Sequence, residues 1–90
     1  MERTELASCL GAVRERTPLV QCITNFVTVN DCANILLAAG GSPTMAHDIR
    51  EVEEAVAGVQ ALVLNLGAIG DVEAMLLAGK RANQLGIPVV

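Results

Sequence analysis

Four short apolar runs recur along the chain, each separated from the next by a helical pattern with its own start and stop signals. The clearest is Ala61-Leu62-Val63-Leu64, which contains no polar residue. Successive side chains of a strand point to opposite faces, so an all-apolar strand belongs in a sheet covered on both sides. Such sheets are mostly parallel, and their strands are joined by helices that cross over one face. The pattern predicts strands near 19–23, 43–46, 61–65 and 87–90, with helices near 4–16, 31–39, 49–59 and 71–85. The expected fold class is α/β, a parallel sheet of βαβ units.

Each helical segment carries local signals. Thr4 can cap the first, whose apolar face is Leu6, Leu10 and Val13, with Arg14 and Arg16 in the last turn and Pro18 beyond it. Asn30 or Asp31 can cap the second. Its apolar residues lie on more than one face, so it is expected to be well buried, and Gly40-Gly41 supply a left-handed end. Asp48 and Glu51 fit a capping-box-like start for the third, with Ile49, Val52, Val56 and Val59 on one face. Asp71 can cap the fourth, and Gly86 closes it. Pro43 suits a strand start or a sheet edge.

Composition narrows the function classes. The 90 residues allow one small domain, with 52% hydrophobic and 18% charged residues. Phe26 is the one aromatic, so the core must come from aliphatic side chains. The net charge is −4, and the six Lys and Arg form no stripe, which argues against nucleic acid as a partner. No apolar run approaches the ~20 residues needed to span a membrane, and the first residues lack a signal-peptide core, so no membrane association and a cytoplasmic location are expected. Cys9, Cys22 and Cys32 are odd in number and contain no C-x-x-C, so all three are expected to be small buried hydrophobes. With His47 as the one histidine, neither a zinc site nor a Ser-His-Asp triad is assembled.

Ligands of open parallel sheets bind beyond the carboxyl ends of the strands. Those ends carry Thr24-Asn25, Met45-Ala46 and Asn65-Leu66-Gly67. They lack the clustered carboxylates of a receiver-type phosphorylation module. Neither G-x-G-x-x-G nor G-x-x-x-x-G-K-[ST] occurs, and Gly40-Gly41 follows a helix instead of a strand. Asn25 and Asn65 can each offer a donor and an acceptor to a ligand, or cap a local turn. Met45 can fill core or line a flat heteroaromatic ring. His47 reads as a surface residue beside a helix cap, and Glu51, Glu53 and Glu54 read as a solvated helix face.

Taken together, Ile23-Thr24-Asn25 with Val27, Asn30, Ala33-Asn34, Leu36-Leu37-Ala38, Gly40, Ser42-Pro43, Met45-Ala46, Glu51-Val52 and Asn65 with Gly67 resemble the N-terminal part of hydroxyethylthiazole kinase. The likeness runs from Pro18 to Val90. It implies a ribokinase-like fold, a homotrimer, and transfer of the ATP γ-phosphate, with Mg²⁺, to the primary alcohol of 4-methyl-5-(2-hydroxyethyl)thiazole in thiamine salvage. It implies a thiazole pocket between neighbouring subunits, with Met45 and Asn25 on the substrate and Asn65 and Gly67 near the same cleft. No catalytic residue and no metal ligand is carried over.

The chain departs from the family pattern at Gln21, where His is common, at His47, where an acidic residue is common, and at Ala68-Ile69, where Thr-Leu is usual. These positions bear on substrate preference. The family's ATP site and its Gly-rich anion hole with the catalytic cysteine correspond to positions past Val90. Residues 1–90 are therefore expected to be the N-terminal, substrate-side segment of a single α/β kinase domain, inactive and poorly stable alone. The alternative on the residues themselves is a non-catalytic Rossmann-like module that binds a small molecule or regulates.

Overall fold

A computed structural model describes residues 2–90, with the side chain of Ile69 outside the described set. Helix α1 (Arg3–Arg16) leads into strand β1 (Leu19–Ile23), helix α2 (Val29–Ala39), strand β2 (Ser42–Thr44), helix α3 (Val52–Val56) and strand β3 (Ala61–Leu64). A 3-10 turn at Ile69–Asp71 opens the last helix, α4 (Val72–Leu85). All strand pairings are parallel, in the order β2-β1-β3. The 87–90 run lies beside β3 but forms an isolated parallel bridge, Leu62 to Val89, instead of a named strand. Leu62 N–H donates to Pro88 O at 2.9 Å, Val90 N–H to Leu62 O at 2.9 Å and Leu64 N–H to Val90 O at 2.8 Å. Pro88 can offer no N–H of its own to the ladder.

The register places Leu19, Gln21 and Ile23 on the same face as Leu62 and Leu64. That face carries the main core: Ile23 and Leu62 pack with Val52, Val56 and Val59 around α3, and with Ala74, Met75, Ala78 and Ala82 of α4. Small alanines let α4 approach closely. The opposite face presents Val20 and Cys22, which is in contact with Cys32 of α2. Both faces of β1 are thus covered and both its edges are paired, which is why the strand must be almost entirely apolar.

Several boundaries differ from the sequence reading. Thr4 lies inside α1, which is capped from Glu2 without a side-chain bond. Asn30 and Asp31 lie inside α2, whose cap position is Thr28. Met45 and Ala46 have left β2, and Asn65 has left β3. Helix α3 is five residues long instead of running from 49 to 59. Its expected first turn is diverted by Asp48, whose carboxylate accepts the Arg50 N–H at 2.8 Å and both guanidinium contacts at 2.8 and 3.0 Å. That pairing holds the Asp48 carboxyl well below the usual carboxylate range, chiefly through the guanidinium hydrogen bond. Asp71 holds the cap position of α4 without a side-chain cap bond. Cys9 is exposed and Cys32 only partly buried, so of the three cysteines Cys22 alone is buried as expected.

Burial corrects the reading of α2 most. None of its residues is fully buried, and Ile35 is 67% exposed. The helix packs on β1 and β2 and also meets α1, while Ile35 and Leu37 remain exposed. Leu6 and Leu10 of α1 are likewise exposed.

Two helices end in the same way. Gly40 N–H donates to Leu37 O and Gly41 N–H to Leu36 O, with Gly40 at φ +102°. Gly86 N–H donates to Asn83 O and Ile87 N–H to Ala82 O, with Gly86 at φ +72°. Both are Schellman ends, in which one left-handed residue turns the orphan carbonyls inward. Gly41 is not left-handed, so Gly40 alone carries the conformation expected of the pair.

These ends separate two costs. Gly86→Ala pays for the left-handed backbone, roughly 1–2 kcal/mol, because a Cβ there meets nothing within 4 Å. Gly40→Ala pays that and also places a Cβ 2.7 Å from Arg14 Cγ and 2.9 Å from Arg14 Cα. Urea denaturation is expected to show Gly40→Ala clearly the more destabilised, and Arg14→Ala does not rescue it, because the Arg14 backbone is itself in the way.

Candidate functional site

The chain runs from β1 through α2 to β2 on one side, then crosses to β3 on the other side of β1. The crevice beyond the carboxyl ends of β1 and β3 is therefore the topological switch point, where open α/β sheets take ligands. The residues that follow those two strands are Thr24-Asn25 and Asn65-Leu66-Gly67.

A directed chain of hydrogen bonds joins them. Asn65 Oδ1 accepts the Gly67 N–H at 2.9 Å, which fixes the amide so that Nδ2 donates to Thr24 Oγ1 at 2.7 Å. Asn25 Oδ1 accepts the Thr28 N–H at 2.9 Å and the Thr28 hydroxyl at 3.0 Å. The Thr28 hydroxyl has thereby given its proton, so at the 2.9 Å contact between Thr24 Oγ1 and Thr28 Oγ1 the donor is Thr24. The sense of the chain is Asn65 to Thr24 to Thr28 to Asn25. Each hydroxyl accepts one bond and donates one, an arrangement that polarises its members cooperatively. Cys32 Sγ adds a weak contact to Thr24 Oγ1 at 3.8 Å.

The chain consumes Asn25 Oδ1 and leaves Nδ2 with no acceptor among the described residues. Asn25 is only partly buried, and its Nδ2 lies 3.4 Å from where a Cβ on Gly67 would stand. The absent side chain at Gly67 therefore keeps the space between Asn25 and Asn65 open. Asn25 serves as the turn cap and still has a donor to spare.

Met45 is half-buried at the exit of β2, and no hydrogen bond connects its segment to the Asn25–Asn65 chain. Ala46 O accepts from Gln21 Nε2 at 2.8 Å. His47 is more engaged than a surface residue. Its Nδ1 lies 3.5 Å from Asp71 Oδ1, and its ring meets Phe26 edge-on with centroids 5.1 Å apart. His47 thus gathers the loops after β1, β2 and β3. A cavity of about 320 Å³ opens beside it, lined by His47, Asp48, Ile49, Gly70, Asp71, Glu73 and Ala74. Ala68, one of the departures from the family pattern, is buried in the core.

Of the four residues expected at the site, the fold brings Asn25, Asn65 and Gly67 together and leaves Met45 separately held. Thr24 and Thr28 were not singled out from sequence as partners. Their signal is the spacing T-x-x-x-T immediately after a strand, which returns the second hydroxyl to the first across one turn.

The nearby thiol is not a nucleophile at neutral pH. Burial pushes Cys22 from its ordinary 9.0 up to about 11, helped by the charge of Cys32 and a hydrogen bond with it. The folded state keeps this proton where the unfolded chain has lost it, so stability falls as pH rises from 9 towards 11. Cys22→Ala is expected to flatten that part of the stability–pH profile, and an unchanged slope refutes the assignment. In the hydroxyl chain, Thr28→Val leaves Thr24 without an acceptor and costs about 1–2 kcal/mol. A double-mutant cycle of Thr28→Val with Asn65→Ala is expected to show coupling of at least about 0.5 kcal/mol, although the two residues do not touch.

The chain is similar to known proteins over nearly its whole length. Positions 10–90 match the Hydroxyethylthiazole kinase family. The hydroxyethylthiazole kinase of Desulfovibrio desulfuricans is 60% identical over 89 residues, covering 97% of this chain and 31% of that protein. That of Alkaliphilus oremlandii is 54% identical over 90 residues, covering 98% of this chain and 33% of that protein. The solved structure of the hydroxyethylthiazole kinase from Pyrococcus horikoshii superposes with a TM-score of 0.88 at 45% identity, over 96% of this chain and 35% of that one. The chain spans about a third of the length of the curated relatives it matches.

Proposed function

The chain belongs to the hydroxyethylthiazole kinase family, and from that premise we propose that it forms the substrate side of a kinase acting on a thiazole alcohol. The whole reaction transfers the γ-phosphate of ATP to the primary hydroxyl of 4-methyl-5-(2-hydroxyethyl)thiazole, a step of thiamine salvage in the cytoplasm. Residues 1–90 are the N-terminal segment of the single α/β domain that performs it. The observation that carries this reading is the convergence of Asn25, Asn65 and Gly67 at the switch point between β1 and β3. Met45, on the neighbouring strand exit, supplies an apolar, adaptable wall for the ring.

The division of labour follows from which atoms are free. Asn65 has one N–H and one oxygen lone pair engaged within the chain, so its amide is fixed in orientation and mainly shapes the crevice. Asn25 presents Nδ2 alone and so addresses an acceptor on the substrate. Gly67 leaves the space the substrate enters.

Among the described residues no group of three or more His, Cys, Asp or Glu side chains is disposed to hold a metal ion. What we assign to residues 2–90 is binding and orientation of the alcohol.

The apolar surface left bare on α2, with Phe26 and Val27 beside its start, supports the homotrimer, in which a neighbouring subunit covers this side. Light scattering of the intact encoded protein is expected to give a trimer, and Ile35→Glu to shift it towards monomer.

Kinetics of the intact encoded protein test the site. Met45→Ala is expected to raise KM for the thiazole more than KM for ATP. Asn25→Asp keeps the oxygen that caps Thr28 and removes the donor. It should therefore raise KM for the thiazole severalfold, the loss of one polar contact of about 1 kcal/mol, with little change in melting temperature. Unchanged thiazole kinetics in both variants return these residues to packing and turn formation.

A further inference from the structure

Gln21 sits at the centre of β1, fully buried on the face it shares with Leu19 and Ile23. A parallel strand covered on both faces normally carries an aliphatic residue at such a position. Here a primary amide is buried instead, and only half of it is satisfied. Nε2 donates to Ala46 O at 2.8 Å, while Oε1 has no partner. An orphaned buried acceptor opposes folding, so the amide is not explained by the stability of the sheet.

Its single bond points to another role. The backbone ladder between β1 and β2 ends at the pair Gln21 and Thr44. Residues 45–47 make no backbone hydrogen bond outside the named strands. The Gln21 side chain reaches two residues past the last ladder pair and holds the carbonyl that immediately follows Met45. Beyond it the segment is next tied at His47, through Asp71. Without the Gln21 bond, Met45 and Ala46 would hang between Thr44 and His47.

We propose that Gln21 is a positioning residue of the substrate site, clamping the exit of β2 to the centre of β1 so that Met45 is presented to the thiazole ring. It touches no substrate and acts through the Ala46 carbonyl. The inference rests on the thiazole-kinase reading, since it assigns Gln21 a role through Met45.

The experiment uses the intact encoded protein and two variants of similar side-chain volume without a donor, Gln21→Met and Gln21→Leu. Each removes the clamp and the orphaned acceptor together. The expected result is a KM for the thiazole alcohol raised roughly fivefold or more, with KM for ATP and kcat within about twofold of wild type. The melting temperature should be unchanged or higher, because an unpaired buried acceptor has gone. Gln21→His, which keeps an N–H donor, is expected to return the thiazole KM towards wild type. An active wild type whose donor-free variants keep their thiazole KM overturns this inference alone. So does a fall in melting temperature accompanied by equal losses for both substrates, or failure of both donor-free variants to fold, since either makes the amide a structural requirement. A wild-type protein that leaves the thiazole alcohol unphosphorylated overturns the functional reading and this inference with it.

Discussion

The covering of β1 on all sides governs the rest of the molecule. Its two edges are hydrogen-bonded to β2 and β3, one face packs on α3 and α4, and the other meets α2. A strand in that position is buried from Val20 to Ile23, so its side chains are selected by packing. Where it ends, at Thr24, the constraint is released and the chain turns polar within one residue. The crevice lies there because β2 and β3 are placed on opposite sides of β1 and their connections diverge. Four side chains from the two diverging loops then satisfy one another in a single direction, which leaves the Asn25 Nδ2 without an acceptor among the described residues.

Much of this was legible in the chain. Four apolar runs alternating with helical patterns implied a parallel sheet, and the strand ends put Asn25, Asn65 and Gly67 in the loops that follow β1 and β3. What was missed has two physical origins. The first is side chains that bind backbone locally: Asp48 was read as the start of a helix, but its carboxylate is taken by Arg50, and residues 49–51 form turns instead. The second is the difference between apolar and buried. Apolar residues on several faces of α2 implied a helix enclosed by the chain, yet Ile35 and Leu37 stand in the open. Hydrophobic periodicity reports that a face is to be covered and does not say by what. A polar residue inside an apolar strand, Gln21, was the visible anomaly whose structural consequence could not be located without the position of Ala46.

Residues 2–90 build a polar crevice edge and a packed core behind it, and they leave Leu6 and Leu10 of α1 and Ile35 and Leu37 of α2 exposed. The family to which the chain belongs consists of proteins about three times as long as the span matched here. In the proposed enzyme, the alcohol is oriented by the crevice described here, and the chemistry on the triphosphate is carried by groups other than these. Orientation is itself a large part of phosphoryl transfer, because the protein supplies positioning and charge stabilisation more than covalent steps.

The most direct test of this account is to follow the side-chain amide signals of Asn25 and Asn65 in intact, asparagine-labelled protein by NMR while titrating 4-methyl-5-(2-hydroxyethyl)thiazole. The account predicts a saturable shift of the Asn25 Nδ2 protons and a smaller response at Asn65, whose amide is already held in place by Thr24 and the Gly67 N–H, with NAD producing neither. Asn25 signals that stay in place at saturating thiazole, or that respond equally to NAD, would contradict it.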